Sequence, residues 1–279
     1  MNLLVTGANG YIGKAFLRRL LQTDHREIRA LVRSEKAKNE LTTEFDGLDV
    51  VVVDYLDRRS IDSALLEGAH LFHLVGTIRQ TKEFSFRAIH EDLCNAIVEA
   101  PTKLSKITSL SVTGASFHSI NSCLKSRANA DRVFDESDVP TAVVRIPMVL
   151  GGNGHASETL RKNARKRLVF SFRASSLEQP IFLDDVIAIL YESLKNKSLE
   201  GLFDLGGPES ITRRELIRLA GRIVRMNPII ISLPLALVNL FAWLLEKTQK
   251  EPLISRATLG VLDHDDNVDN SDTLAAFGV

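Results

Sequence analysis

Through the first half of the chain, short apolar runs alternate with helical repeats. Leu3, Leu4 and Val5 suit a buried strand, and Ala15, Phe16, Leu20 and Leu21 then recur at helical spacing between Lys14 and Gln22, with Arg18 and Arg19 outward. Strand-like runs follow at residues 28–32, 50–53, 70–75, 107–112 and 141–146. Between them lie helical patterns over residues 60–66 and 86–100, the second carrying Ala88, Ile89, Leu93, Ile97 and Val98, and a third over residues 123–131. This alternation predicts an α/β fold with a doubly wound parallel sheet and right-handed crossovers.

The second half breaks the rhythm. Ile229 to Leu245 is apolar except for Ser232, Pro234 and Asn239. Pro234 suits the first position of a helix, which leaves a helix of about 12 residues and roughly 18 Å, too short to span a bilayer. Its nearly all-round apolarity fits either burial in its own lobe or docking on a partner or a membrane surface. Arg161 to Arg167, reading Arg-Lys-Asn-Ala-Arg-Lys-Arg, is either a solvated helix face or a patch for an anionic surface of phospholipid headgroups or protein.

Composition narrows the partners. The 279 residues are 44% hydrophobic and 25% charged, and 35 basic residues balance 35 acidic ones, so no global field recruits nucleic acid. Cys94 and Cys123 fall in helical segments without metal-ligand spacing, which predicts inert thiols in a reducing compartment and no metal site. The first strand begins at once, so the expected location is the cytoplasm, with a membrane-peripheral position if the apolar and basic stretches dock there.

The chemistry gathers at Thr6-Gly7-Ala8-Asn9-Gly10-Tyr11-Ile12-Gly13, between the first strand and the first helix. Gly7 lets the chain turn off the strand, Gly10 bares the backbone for a pyrophosphate, and Gly13 lets the helix pack tightly. The free N–H groups of that helix face the phosphates, so a dinucleotide is expected on Gly7, Asn9, Gly10, Tyr11 and Ile12. The second strand ends at Arg33-Ser34, about 20 residues past the last glycine, where the adenosine ribose lies. An acidic residue there would select NAD(H), whereas Arg33 can meet a 2′-phosphate, so NADP(H) is favoured and NAD(H) is the alternative. Arg33 also reads as a solvated charge in a loop with Glu35, Lys36 and Lys38.

The glycine spacing resembles the short-chain dehydrogenase/reductase superfamily, in its extended and atypical, epimerase/dehydratase-like branches. That resemblance implies a Rossmann-type core over residues 1–150. Residues 151–279 then form a mixed segment, a small substrate lobe whose chain returns to the core at about residues 179–208. It also implies Asp54 and Leu56 at the adenine, Val75 and Gly76 beside ribose and phosphates, and Pro147, between Arg145 and Gly151, beside the nicotinamide. His73 reads as a core histidine, Asp57 as a helix cap, and Asp184 and Asp185 as capping residues. Thr212 reads as a cap paired with Glu215.

For catalysis the family uses a Ser or Thr near the end of the fifth strand and a Tyr-x-x-x-Lys pair on the next helix. This chain offers Ser111, Thr113 and Lys125, but Asn121 stands four residues before Lys125, and no tyrosine lies between Tyr55 and Tyr191. An amide does not exchange protons usefully near neutrality. His118 is the nearby group that could titrate there, or else a surface loop residue. The apolar helix and the tail (Pro252 to Ala257, Asp266 to Asn270, Leu274 to Val279) resemble the branch containing the dinucleotide-binding accessory subunit of respiratory complex I and its free-standing bacterial relatives. That branch implies a nucleotide kept as a structural or redox-sensing element. The alternative is an NAD(P)H-dependent reductase or nucleotide-sugar epimerase/dehydratase-like enzyme, in which water, Ser111, Thr113 or His118 replaces the tyrosine.

Overall fold

The computed structural model describes residues 2–23, 27–81, 84–196, 198–248, 256–261 and 263–278. Residues 252–255 and Val279, parts of the tail motifs, lie outside them. The first half runs β1 (Leu3–Thr6), α1 (Tyr11–Leu21), β2 (Ile28–Val32), α2 (Glu35–Glu44), β3 (Asp49–Val52), α3 (Arg58–Ala64) and β4 (His70–His73). A π-helical turn, Ala88–Asp92, leads into α4 (Leu93–Val98), followed by β5 (Lys106–Val112), α5 (Ser122–Asp135) and β6 (Thr141–Ile146).

These strands form a parallel seven-stranded sheet in the order β11-β6-β5-β4-β1-β2-β3, completed by the later strand β11 (Gly201–Asp204). Strand order reverses between β1 and β4, so the crevice at the carboxyl ends of these two strands is the topological switch point. Successive side chains of β1 face opposite layers. Leu3 and Val5 pack with Phe16, Leu17 and Leu20 of α1, and Leu4 packs with Ile61, Leu93, Ile97 and Phe134 from α3, α4 and α5.

The second half contributes β7 (Val149–Leu150), α6 (His155–Ala164), β8 (Leu168–Phe172), β9 (Leu177–Glu178), β10 (Ile181–Phe182) and α7 (Leu183–Lys195) before β11. After it come β12 (Ile211–Thr212), α8 (Arg213–Ile223), β13 (Ile229–Leu233), α9 (Leu235–Thr248), α10 (Arg256–Val261) and α11 (Ser271–Phe277). The short strands pair as β7 with β10, β9 with β12 and β8 with β13.

Three sequence expectations change. The apolar helix begins at Leu235 rather than Pro234 and has 14 residues rather than about 12, and the preceding Ile229–Leu233, unassigned in the sequence, is a strand because a run of β-branched residues finds β8 to pair with. Residues 35–44 are a helix, not a loop, capped by the Ser34 hydroxyl. Asp184 and Asp185 lie in the first turn of α7, whose N-cap is Phe182 without a side-chain hydrogen bond, so they face the positive end of the helix rather than cap it. Asp57 does cap α3, and Thr212 and Glu215 form a reciprocal capping box on α8.

Candidate functional site

Gly7 leaves β1 with φ +65°, and a Cβ there would lie 2.7 Å from the Leu74 carbonyl oxygen, so a side chain meets both strain and the backbone after β4. A Cβ on Gly13 would lie 2.3 Å from the Gly7 carbonyl oxygen, which seats α1 directly on the turn. Gly10 is the N-cap of α1, with no side-chain cap and no acidic residue in the first turn. Asn9 and Gly10 are exposed, so the donors of that helix end are open to an anion. A diphosphate fits this cradle.

Tyr11 points elsewhere. Its hydroxyl donates to the Gly151 carbonyl at 2.5 Å, and a Cβ on Gly154 would touch its ring at 2.7 Å. Burial, helped by Asp184, holds its phenol above the usual range. What Tyr11 leaves to a ligand is its backbone. Ile12 packs on the core beside it.

Arg33 is exposed at the tip of β2 with its guanidinium 5.2 Å from the Phe84 ring centroid. The Ser34 hydroxyl accepts from the Ala37 N–H at 3.2 Å, and Asp54 Oδ1 accepts from the Leu56 N–H at 2.9 Å. Asp54 and Leu56 are both exposed, which leaves the second carboxylate oxygen of Asp54 toward solvent.

At the opposite end the geometry moves the cation from Lys125 to Arg127. Lys125 is exposed, and two residues on, about 200° round the helix, Arg127 enters the site. Its guanidinium donates to the Val75 carbonyl at 3.2 Å and lies so close over Gly76 that a Cβ there would be 1.4 Å from Nη2. Burial lowers its pKa, and among the described residues it has no ion pair within 4.0 Å. The nearby carboxylates are taken: Asp131 by Arg145 at 2.8 Å, and Glu91 by Ser126 at 2.7 Å and Asn129 at 3.0 Å. His73 and His90, pulled by burial to about 3 and about 2, are neutral. A half-buried cation among neutral or committed neighbours calls for an anion.

Cys123 stands four residues before Arg127, which is the tyrosine-lysine spacing shifted by two. Its Sγ lies 3.5 Å from the Thr77 carbonyl, burial pushes its thiol up to about 11, and it packs with Phe86, Leu124 and Val261. Asn121 is the N-cap of α5, accepting from the Cys123 and Leu124 N–H groups at 3.0 and 3.1 Å. The inward face of α5, with Cys123, Ala130, Asp131 and Phe134 buried, carries the signal that a search for lysine missed.

The C-terminal segment closes over this end. Thr113 Oγ1 donates to Asp266 Oδ1 at 2.8 Å, and His264 Nε2 donates to the same oxygen at 2.9 Å. The His264 ring lies on Gly114, where a Cβ would be 3.1 Å from Cδ2. The Asp266 hydrogen bond, working against burial, raises the His264 pKa. Asp266 N–H also donates to the Leu177 carbonyl at 3.1 Å, Val268 N–H to Gln179 Oε1 at 2.5 Å, and Gly206 N–H to Asn270 Oδ1 at 2.6 Å. Residues 263–270 thus form a strap across the carboxyl end of β5.

The three expected catalytic groups are not brought together. Ser111 is buried facing Asp131, with no hydrogen-bond partner for its hydroxyl oxygen among the described residues; Thr113 is tied to the strap; Lys125 is in solvent. His118 is exposed on a loop, and His73 is buried in β4. Val75 packs on the core and Pro147 follows β6 half-buried. A concavity of about 350 Å³ lined by Asp138, Pro140 and Glu200 lies at the amino ends of β6 and β11, away from the glycine turn.

The chain is 22% identical over 247 residues to the Arabidopsis thaliana mitochondrial NADH dehydrogenase [ubiquinone] 1 alpha subcomplex subunit 9, covering 85% of this chain and 61% of that protein. It therefore spans less than two thirds of that relative. It is 24% identical to the 40 kDa subunit of the Neurospora crassa mitochondrial NADH-ubiquinone oxidoreductase, over 95% of this chain and 71% of that one. In fold it is similar to triphenylmethane reductase from Citrobacter sp. complexed with NADP(H), with a TM-score of 0.77, 15% identity, and coverage of 100% of this chain and 96% of that one. The model of a family described as NAD(P)H-binding matches residues 7–171, more than half of the chain, and this protein belongs to that family.

Proposed function

We propose that the chain holds an NADP(H) molecule as a structural or redox-sensing element, and does not turn over a substrate efficiently. One observation carries this reading: on the inward face of α5, where a proton donor would have to stand four residues before Arg127, Cys123 is buried against Val261, while the strap ties Thr113 at the end of β5. A bound nicotinamide supplies hydride chemistry, but a thiol held up at about 11 is protonated at neutral pH and closed in by apolar neighbours. The diphosphate would rest on Gly7, Gly10 and the backbone of Asn9 to Ile12, with Arg127 on its other side. Arg33 would meet the 2′-phosphate, favouring NADP(H) over NAD(H), with Asp54 and Leu56 at the adenine and Val75, Gly76 and Pro147 along the ribose and nicotinamide. We take residues 1–150 as the nucleotide-binding core and 151–279 as the lobe that returns to it.

The complex I relatives are subunits of an assembly by name, and we extend a docking role to this chain through residues 161–167 and 229–245, in the cytosol at a membrane-peripheral position. Among the described residues no helix is long and apolar enough to cross a membrane. A second reading, a reductase or epimerase/dehydratase-like enzyme, draws on the Cys123–Arg127 spacing. The test is to release any nucleotide from the purified protein for mass identification and to titrate NADPH and NADH by fluorescence. Tightly retained, slowly exchanging NADPH supports the holding role. Fast exchange with turnover of carbonyl compounds by the unaltered chain supports the enzyme, and absence of binding overturns both.

A further inference from the structure

The lobe turns its largest apolar side chains outward. In the β8–β13 pair, Val169 and Ile230 face inward onto Ile217 and Ala174, whereas Leu168, Phe170, Ile229 and Ile231 stand on the other face. Register sets Leu168 beside Ile229 and Phe170 beside Ile231, so the four form one plate. One proline later, α9 does the same. Leu237, Leu240, Phe241 and Leu244 recur at i, i+3, i+4 and i+7 on its exposed face, and Ala242 is its buried residue. Together with Trp243 these side chains are between 37% and 66% exposed. A helix packed only within its own protein turns that stripe inward.

Charge says what covers it. No residue from 229 to 245 is ionisable, while Arg161, Lys162, Arg165, Lys166 and Arg167 are exposed. Arg167 immediately precedes Leu168, and its carbonyl accepts from the Ile229 N–H at 2.9 Å, which fixes the basic run at the rim of the plate. The Lys247 ammonium sits 4.0 Å over the Trp243 ring, an apolar body with a cationic tip. We infer that this face rests on an anionic phospholipid bilayer, with α9 lying in the headgroup boundary. At 14 residues, about 21 Å, α9 is too short to span one. A protein partner would need hydrogen-bonding groups to read, and the stretch offers only Ser232 and Asn239 as polar side chains. A projecting apolar surface with a cationic rim is the form that enters lipid.

The experiment is co-sedimentation of the full chain with vesicles of phosphatidylcholine alone and of phosphatidylcholine mixed with phosphatidylglycerol, with emission from Trp243, the one tryptophan, as a second readout. The protein should pellet with the anionic vesicles, shift its emission to the blue, and release as salt rises. Neutralising Arg165, Lys166 and Arg167 to Gln should weaken binding on the order of a hundredfold. Phe241→Gln, at an exposed position that leaves folding and nucleotide retention intact, should abolish the blue shift. Failure to pellet with anionic vesicles, equal binding to both vesicles, or a concentration-dependent dimer with the same blue shift in the absence of lipid would each overturn the proposal. None of these readouts depends on the nucleotide.

Discussion

Helices α1 and α9 are both rich in leucine and aromatic residues, yet they use them in opposite directions. In α1, Phe16, Leu17 and Leu20 vanish into the sheet and the arginines face water. In α9 Leu237, Leu240, Phe241 and Leu244 face water and Ala242 is buried. An apolar stripe therefore identifies a face that something covers, and only the neighbours say whether that something is the protein's own core. Around α1 it is a seven-stranded sheet. Around α9 the described residues leave the face open.

Acid should separate the two regions most sharply. His70, His73 and His90 belong to the sheet half, and burial pulls them to about 3, about 3 and about 2. Folded values below the unfolded one mean that the unfolded chain takes up protons first. Their stability is intact above about pH 6.5 and is lost as pH falls, at about 1.4 kcal/mol per pH unit for each. By pH 5 the three together cost about 6 kcal/mol, which approaches the whole stability of an ordinary domain. Urea unfolding between pH 7.5 and 4.5 should show it, and a flat profile would mean that these histidines are solvated.

Truncation tests the comparison directly. Phe16→Ala should cost about 3–5 kcal/mol in chemical denaturation, while Leu240→Ala should change stability by less than about 0.5 kcal/mol. A Leu240→Ala cost near that of Phe16→Ala would show that the α9 face packs on protein in solution. Next in size is Arg127→Met, which should weaken NADPH binding roughly tenfold to a hundredfold by removing a charged hydrogen-bond donor. Stability should hold or rise, since a cation without an ion pair leaves the interior. If Lys125→Met has the larger effect on affinity, the assignment of α5's inner face is wrong.

The smallest effect concerns the strap. His264 is raised by its bond to Asp266, so its contribution is full below the unfolded pKa and is lost as pH rises through the folded one. The wild-type chain should exceed His264→Gln by about 1 kcal/mol at pH 5.5, and the gap should close toward pH 9. Paired thermal melts would measure it, and a gap constant with pH would show the contact to be neutral.

The glycine turn was legible because Gly7 and Gly13 answer local demands, a left-handed φ and a helix resting on a carbonyl, that no other residue meets. The wall of the crevice opposite the glycine turn was less legible. Lys125 and Arg127 are both cations on one helix, and choosing between them requires knowing which face of α5 meets β4. His264 and Asp266 lie 151 and 153 residues from the Thr113 they contact, so no local pattern could announce the strap. Residues 229–233 have no assignment in the sequence alone because a short apolar run fits strand and helix alike until a partner strand is known.

By itself, the sequence determined the alternation of strand and helix, the glycine turn at residues 7–13 and the caps at Asp57 and Thr212, because each is set by residues a few positions apart. The tertiary structure alone decided which cation of α5 enters the crevice, that Cys123 is sealed beneath Val261, and that the apolar faces of β8, β13 and α9 turn outward. Those outcomes depend on which surfaces meet after the chain has crossed the sheet, and contact between distant segments is not written in the spacing of neighbours.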